Sequence, residues 1–381
     1  MINNSRSSTR RLWTPVSESD FVGRYRIGSE LARGGTSTVH LGRLLGSVGF
    51  HRPVAIKRLH VQYARDPDFM AMLLDEARIV TQVRHPNIVP VIDVMMRHGE
   101  VFLIMEYVHG QALAELVVDG APLEARLAAA VLIDALLGLD AAHKARTDQG
   151  EALNIIHRDV SPQNIMVGAD GFSRLVDFGI AKAENRLQTT HTGQLKGKLS
   201  YMAPEQFYGG GVDCRADLWS ASVVLWEMLT GQRLFRDESA AALTDAVLHR
   251  PIAPPSTIAG SPVALDAVVM GGLARDPARR FASAEAMAEA LRMALPSAGH
   301  SAVGAWVRSA AAPWLADCMT KLARADDESR RDGTEEGSSV RTRLAALGVD
   351  PLTPPRPLEG GTNGSAGRMA DVTSICRTRG W

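Results

Sequence analysis

The segment "IIHRDVSPQNIMV", residues 155–167, decides the fold of this 381-residue chain. In it, Asp159 and Asn164 stand five residues apart between two apolar runs. Two motifs follow in order, "VDFG" (176–179) and "YMAPEQ" (201–206), and the first places Asp177 directly after the strand-like run "SRLV". The order of these motifs, with Asp177 18 positions after Asp159, makes ordinary turns a poor interpretation.

The composition excludes several classes of protein. Lys plus Arg balance Asp plus Glu at 42 each, so charge gives no reason to expect nucleic acid or an anionic membrane as a partner. Cys214, Cys318 and Cys376 show no metal-ligand spacing and no disulfide framework, which favours a reducing compartment. No apolar run approaches the roughly 18 to 20 residues that a membrane span needs, and the first residues lack the apolar core of a secretory signal. We therefore predict a cytoplasmic protein without a membrane span.

Changes in polarity and in hydrophobic periodicity divide the chain into four parts. Residues 1–22 are polar and aperiodic and are predicted to be a disordered leader. Residues 23–296 alternate strand-like and helix-like segments and are predicted to form the main domain. Residues 297–325 are expected to form a short amphipathic helical segment, and residues 326–381 carry too few apolar residues to bury, so we predict a disordered tail.

The main domain is predicted to have two lobes. About residues 23–108 are rich in alternating, strand-like segments, whereas about residues 109–296 are mostly helical. The clearest helical pattern, "RADLWSASVVLWEMLTG", closes on Gly231. A small β-rich lobe followed by a larger helical lobe makes the expected fold class α+β.

Two features of the first lobe point to a phosphate site. In "LARGGTSTVHLG" (31–42), Gly34 and Gly35 let the backbone approach a phosphate, although a plain hairpin is the alternative. Glu76 falls on the apolar face of the following helical segment, where a carboxylate is destabilising unless it is paired. An ion pair with Lys57, at the end of "VAIK", resolves that conflict; the alternative is a lysine that reaches solvent beside an exposed glutamate.

With "HRDVSPQN", "VDFG" and "YMAPEQ" in this order, the chain resembles the eukaryotic-type (Hanks-type) serine/threonine protein kinases of bacteria, over roughly residues 25–295. The resemblance implies a bilobal protein-kinase-like fold and transfer of the ATP γ-phosphate to Ser/Thr hydroxyls of proteins, with autophosphorylation of the activation loop. It further implies ATP and Mg²⁺ as cofactors, with Mn²⁺ as an alternative metal. Protein substrates, including a second copy of the chain in trans, are the expected partners.

The resemblance assigns roles residue by residue. Lys57, positioned by Glu76, would hold the α- and β-phosphates, and Asp159 would accept the proton of the substrate hydroxyl. Asn164 and Asp177 would hold the metal ions. Ala32 and Ser37 stand where the family usually has glycine. The residues implied to bind ATP are Leu31, Ala32, Arg33, Gly34, Gly35, Thr36, Ser37, Thr38, Val39, Ala55, Lys57, Met105, Glu106, Val108 and Met166.

Other residues are implied to have structural or regulatory roles. Glu205 would pair with Arg280, and Asp217 would anchor the catalytic loop from a central helix. Arg158 would bind a phosphorylated residue of the activation loop. The candidate phosphorylation sites are Thr190 and Thr192. The alternative is that these threonines are ordinary surface residues of a mobile loop.

One departure from the family concerns a positive charge. Relatives have a lysine two residues after the catalytic Asp, where this chain has Ser161, and a threonine where it has Lys198. We hypothesise that the Lys198 ammonium reaches the position left by Ser161, hydrogen-bonds Asp159 or Ser161, and stabilises the migrating phosphoryl group. The alternative is that Lys198 points to solvent or to a regulatory phosphate.

Two other functions remain open at this stage. Ser161 and the altered Gly-rich loop are compatible with a pseudokinase, a nucleotide-binding signalling scaffold. Against it, Lys57, Glu76, Asp159, Asn164 and Asp177 are all present. A small-molecule kinase of related fold is the third alternative, and the long activation segment favours protein substrates over it.

Overall fold

The computed structural model describes residues 21–35, 37–46, 51–60, 81–178, 198–209, 211–237 and 239–325. The predictions for the leader (1–20), the tail (326–381), Thr36, Glu76, Thr190 and Thr192 lie outside the described residues. All described residues belong to one unit of the chain, Met1–Arg330.

The first lobe is built on a six-stranded antiparallel sheet with the strand order β1-β2-β3-β4-β6-β5. In β4, side chains alternate between the two faces, so Val54 and Ile56 enter the core while Lys57 takes the opposite side. The apolar run of β6 is buried from Val101 to Met105. The strands are β1 (Phe21–Val22), β2 (Tyr25–Arg33), β3 (Ser37–Leu45), β4 (His51–Leu59), β5 (Val91–Arg97) and β6 (Glu100–Glu106).

The predicted boundary of the leader at residue 22 is wrong. Phe21 and Val22 form β1, which pairs with Arg26 and Tyr25 across a turn at Gly23. Val22 is 1% exposed and packs in the core of the sheet lobe. Burial of this valine, which a polar, aperiodic neighbourhood does not reveal, brings the two residues into the folded domain.

The second lobe is helical and surrounds two long buried helices. Nearly all of α4 is buried, and it ends at Gly231, whose φ of +68° and N–H bond to the Glu227 carbonyl (2.8 Å) form a glycine C-cap. A small lobe of strands and a larger lobe of helices confirm the predicted α+β, bilobal class. The helices are α1 (Leu113–Leu116), α2 (Ala125–His143), α3 (Pro204–Phe207), α4 (Arg215–Thr230), α5 (Ala240–His249), α6 (Pro255–Ala259), α7 (Asp266–Gly272) and α8 (Ala284–Ala294).

A small three-stranded sheet lies at the junction of the lobes. Its order is β7-β8-β9, with β7 (Gly110–Ala112) following residues 107–109, which join the two lobes and are called the hinge. Strand β8 (Ile165–Gly168) begins directly after a 3₁₀ turn at Pro162–Asn164, and β9 (Ser173–Leu175) leads to Asp177. The β8–β9 hairpin therefore sets the distance between the two motifs that the sequence singled out.

Two further helices follow the helical lobe. Helix α9 spans His300–Ala310, and residues 312–325 are helical as well and are called α10 below. Val303 and Val307 are almost completely buried against the core of the helical lobe. Among the residues that the structure describes, no helix combines the length and the apolar character needed to cross a bilayer.

Candidate active site

The backbone of the segment 157–159 is fixed by Asp217 of α4. The fully buried Asp217 carboxylate accepts the N–H groups of His157 (2.8 Å) and Arg158 (2.7 Å), and His143 Nε2 lies 2.8 Å from Oδ2. Burial by itself raises the pKa of Asp217, but the hydrogen bonds and charge of His143 and the backbone donors lower that pKa below its usual value. These bonds hold Arg158 at φ +64°, a left-handed conformation that is uncommon outside glycine.

Asp159, Asn164 and Lys198 meet at the end of this segment. Asn164 Nδ2 donates to the Asp159 carbonyl (2.8 Å) and to its Oδ2 atom (3.1 Å). Lys198 Nζ lies 3.3 Å from the same Oδ2 atom, and the two side chains are 22% and 17% exposed. Ser161 is buried, with 6% of its surface exposed. The ammonium of Lys198 is therefore directed at the Asp159 carboxylate.

Lys57 and Asp177 connect the two lobes. Lys57 Nζ lies 2.9 Å from Asp177 Oδ1, and the lysine side chain is 6% exposed. Asp177 has φ +62°, and the following Phe178 ring packs on the His157 ring with centroids 4.4 Å apart. His157 in turn bonds the Val176 carbonyl through Nε2 (3.0 Å). This packing places the Asp177 carboxylate toward the sheet lobe and its lysine.

The Gly-rich turn between β2 and β3 is braced by a residue that the sequence analysis missed. Gly34 donates its N–H to the Ser37 carbonyl (2.8 Å). His60 Nδ1 lies 3.0 Å from the Gly35 carbonyl, and its Nε2 lies 3.3 Å from Thr38 Oγ1. His60 follows β4 directly, and only the pairing of β3 with β4 brings it to the turn, so the sequence offered no signal for this contact.

The residues expected around adenine lie on adjacent strands and on the small sheet. Val39 is paired with Lys57, and Ala55 is paired with Met105, across the β3–β4–β6 part of the sheet. Met166 lies on β8 of the small sheet, on the other side of the hinge. The Glu106 N–H is bonded to the Pro90 carbonyl (3.0 Å), which fixes the start of the hinge. Val108 lies between β6 and β7, two residues after Glu106, and the other residues of the expected ATP site, from Leu31 to Thr38 apart from Thr36, belong to β2, the turn and β3.

Glu205 and Arg280 form a two-bond ion pair in the helical lobe. Arg280 Nη1 and Nη2 donate to Glu205 Oε1 and Oε2, both at 2.7 Å, and the Arg280 side chain has no exposed surface. Arg280 also donates to the carbonyls of Ala274 and Arg215 and lies over the Trp219 ring. The segment that begins at Ala203 is thereby tied to α4 and to the loop before α8.

A second buried network was also missed by the sequence analysis. Tyr201 donates its hydroxyl hydrogen to Glu227 Oε2 (2.7 Å), and Arg233 bonds both side chains. Burial raises the pKa of Glu227 although its three hydrogen-bond partners lower it. Glu227 sits inside the apolar pattern of α4, and a glutamate among buried apolar residues was the available signal.

Asn164 and Asp177 fit the oxygen chemistry of a magnesium site. The amide nitrogen of Asn164 is engaged by Asp159, which turns its carbonyl oxygen away from that carboxylate. One carboxylate and one amide oxygen suit a hard cation that takes its other ligands from phosphates and water. The two residues stand on either side of the β8–β9 hairpin, and Asp177 pairs with Lys57.

Comparison with known proteins identifies the class of this fold and site. The sequence model of the protein kinase domain family matches residues 25–291. The kinase domain of PknI from Mycobacterium tuberculosis superimposes with a TM-score of 0.54 at 24% identity, over 74% of this chain and all of that domain, which shows the fold. The chain therefore belongs to the protein kinase domain family.

The more similar relatives place it among the bacterial Hanks-type kinases, as the sequence motifs indicated. The tyrosine-protein kinase MasK of Myxococcus xanthus is 36% identical over 95% of this chain and 57% of its own length. The serine/threonine-protein kinase PknL of M. tuberculosis is 35% identical over 72% of this chain and 66% of its own length, and PknB of Mycobacterium leprae is 36% identical over 72% and 43%. The chain thus spans between 43% and 66% of the length of these relatives.

Proposed function

We propose that the protein is an ATP- and Mg²⁺-dependent serine/threonine protein kinase that also phosphorylates its own activation loop. The observation that carries the proposal is the juxtaposition of Lys57 with Asp177 and of Asp159 with Asn164, at one cleft between the lobes. The order of the motifs and the family membership support the same reaction.

In the proposed reaction, the oxygen of the acceptor hydroxyl forms a bond to the γ-phosphorus while the bond to the β–γ bridging oxygen breaks. The hydroxyl proton passes to Asp159, which Asn164 orients, and ADP leaves with the negative charge. Lys57 holds the α- and β-phosphates, and the Gly-rich turn covers them with backbone N–H groups. Asn164 and Asp177 would hold Mg²⁺, which when bound would neutralise negative charge on the phosphates.

Within this function, we propose that Lys198 supplies the positive charge that relatives place at the position of Ser161. The support is the 3.3 Å separation of Lys198 Nζ from Asp159 Oδ2. An ammonium at that distance lies within reach of a phosphoryl group in transit to the hydroxyl beside Asp159, where it stabilises developing charge. The alternative orientation toward solvent receives no support from this geometry.

The acceptor hydroxyl is proposed to be Ser or Thr because the mycobacterial relatives PknL, PknH and PknB are named serine/threonine-protein kinases. MasK, which matches most of this chain, is named a tyrosine-protein kinase. Tyrosine is therefore the second candidate acceptor. Thr190 and Thr192 stay the proposed autophosphorylation sites, and Arg158 the proposed partner of the phosphate they carry.

The test is the intact mass of phosphatase-treated protein after incubation with Mg²⁺ and ATP, beside an Asp159→Asn control. We expect phosphate on the wild type alone, located by peptide mapping on Thr190 or Thr192. Phosphate found only on tyrosine would show that tyrosine, the second candidate, is the acceptor rather than serine or threonine. No added phosphate in protein that binds nucleotide would support the scaffold function instead.

A further inference from the structure

Helices α9 and α10, residues 300–325, are called the C-terminal clasp here because they contact both lobes. On the helical lobe, the His300 ring stacks on the Phe172 ring with centroids 3.9 Å apart, and its Nε2 atom lies 3.4 Å from Asp134 Oδ1. Arg308 donates to the Ala169 carbonyl. Together with buried Val303 and Val307, these contacts fix α9 to the β8–β9 hairpin and α2.

The clasp next touches the hinge. Trp314 Nε1 donates to the Gly110 carbonyl (3.0 Å), where the hinge passes into β7. Cys318 is 1% exposed and lies against the Tyr107 hydroxyl. Burial, and then the neighbouring thiol, raise the pKa of Tyr107, so that its hydroxyl stays protonated in this contact. The segment 107–110 is thus covered by α10 on one side.

The end of the clasp reaches the sheet lobe. Arg43 of β3, 5% exposed, donates through Nη2 to the Leu322 carbonyl of α10 (2.9 Å). Lys321 Nζ donates to the Glu30 carbonyl of β2 (3.3 Å) and lies over the Trp314 ring. Glu30 lies between two irregularities in the β2–β3 register, just before the Gly-rich turn.

We propose that Arg43 and Lys321 are positioning residues for nucleotide binding, through which the C-terminal clasp holds the strands of the Gly-rich turn over the cleft. The two lobes are joined by the hinge, and the clasp is attached on both sides of it. Any opening of the cleft that moves β2 and β3 away from the hinge must therefore break the Arg43–Leu322 and Lys321–Glu30 contacts. The clasp favours the closed cleft, raises nucleotide affinity and slows nucleotide release. This inference rests on the proposed function, because it assumes that the cleft binds ATP.

The clasp lies outside the part of the chain that the kinase family shares. The family match ends at residue 291, before α9 begins. The match to MasK covers 95% of this chain and so extends well beyond that point. The clasp is thus an addition to the kinase domain with a counterpart in a relative, rather than part of the common fold.

The test compares ADP binding by full-length variants that cut the attachment to the sheet lobe. Lys321→Met removes the ammonium and keeps an apolar side chain on Trp314, and Arg43→Met/Lys321→Met removes both contacts. We expect the Kd for ADP, by titration calorimetry, to rise roughly threefold in the single variant and roughly tenfold in the double variant, with a matching rise in the ADP release rate. The KM for ATP should rise with it, whereas single-turnover phosphoryl transfer at saturating ATP should stay near the wild-type rate.

Lys144→Met is the matched control, because Lys144 is an exposed lysine of the helical lobe that pairs with Asp140 and Glu285. It should bind ADP like the wild type. If the double variant does not fold, Lys321→Met alone tests the proposal. This substitution leaves the Arg43–Leu322 bond in place and changes a side chain that is 22% exposed. Equal ADP affinity and release in wild type and Lys321→Met, in folded protein, would overturn the proposal.

The outcomes separate this inference from the proposed function. Weaker ADP binding by the clasp variants, in protein that transfers no phosphate, would support the clasp and overturn the kinase activity. Phosphoryl transfer by the wild type, with ADP binding unchanged in the clasp variants, would support the kinase activity and overturn the role of the clasp. A wild-type chain that binds no nucleotide would overturn both.

Discussion

At the scale of single residues, the site depends on side chains held in uncommon conformations by specific partners. Arg158 and Asp177 both have positive φ angles without being glycine. Such conformations are destabilising by about 1 to 3 kcal/mol and persist only where the surroundings enforce them. Here the Asp217 carboxylate holds the backbone N–H of Arg158, and the Lys57 ammonium pairs with the Asp177 side chain.

The proposed role of Lys198 predicts a reciprocal pair of variants. Lys198→Thr should lower kcat by roughly 100-fold, since one cation at the migrating phosphoryl group is lost, while ADP affinity stays unchanged. The double variant Ser161→Lys/Lys198→Thr restores the arrangement of the relatives and should recover most of that loss. Radiolabelled phosphate transfer at saturating ATP measures both, with Lys144→Thr as the surface control. Full turnover by Lys198→Thr would show that Lys198 does not act in catalysis.

Asp217 predicts a dependence of stability on pH. Its folded-state pKa lies below the ordinary value of 3.8, so its contribution to stability is present above that value and is lost as the pH falls through the folded-state pKa. Asp217→Asn should lower the free energy of unfolding near pH 7 by about 2 to 4 kcal/mol, because a buried charged acceptor of three hydrogen bonds is replaced. In urea unfolding, the difference in stability between the two proteins should be constant from pH 7 to about pH 4 and should narrow as the pH falls below 3.8 toward the folded-state pKa. A constant difference at every pH would contradict the assignment.

At the scale of elements, one helix and a hairpin supply most of the site. Helix α4 is buried on all sides and brings Asp217 under the catalytic segment at one end, while Glu227 bonds Tyr201 near the other. The β8–β9 hairpin fixes Asn164 and Asp177 relative to each other. The segment from Lys198 to Glu205 is then held from two directions, by Glu227 and by Arg280.

The Arg280–Glu205 pair predicts a large effect of a single substitution. Arg280→Met should lower the free energy of unfolding by about 3 to 5 kcal/mol, because Glu205 and several carbonyls lose a buried partner. Arg292→Met is the control, since the Arg292–Glu289 pair is 41% and 60% exposed and should contribute less than about 0.5 kcal/mol. Chemical denaturation of both variants measures the difference. Similar values for the two would mean that the buried pair contributes no more than an exposed one.

At the scale of the whole molecule, the described residues form two lobes and a helical extension that touches both. The contact between that extension and the helical lobe depends on a close backbone approach. Gly171 has φ +89°, and a Cβ atom there would lie 1.8 Å from the His300 carbonyl oxygen. A side chain at this position therefore cannot coexist with the observed start of α9.

Gly171→Ala should consequently loosen the clasp while leaving the kinase fold in place. We expect faster amide hydrogen exchange in residues 300–325, and weaker ADP binding if the clasp acts as proposed. Gly99→Ala is the matched control, because Gly99 also has a positive φ (+75°) but open space around its Cβ position. Both alanine variants place a side chain at a positive φ, so the difference between them reports the clash at Gly171 without the shared backbone strain. Equal exchange in the two variants would show that the Gly171–His300 approach does not hold α9.

The sequence by itself determined the fold class, the order of the lobes and the identity of the family. Those features depend on local patterns, namely alternating strands, amphipathic or buried helices and motifs whose spacing is fixed along the chain. Gly231 at the end of α4 is such a local signal, and the structure has it as the C-cap. Lys57, Asp159, Asn164 and Asp177 could be named because each stands in a motif.

Only the tertiary structure decided which groups meet across the fold. The bracing of the Gly-rich turn by His60 and the attachment of α10 to Arg43 join residues that are 25 and 279 positions apart. The sequence suggested that Lys198 approaches the catalytic loop, but only the fold shows that its partner is Asp159 Oδ2, 39 positions away. Whether such groups touch depends on how strands pair and helices pack, and no local pattern encodes those distances. The leader boundary was wrong for the same reason, since Val22 owes its burial to the sheet that forms around it.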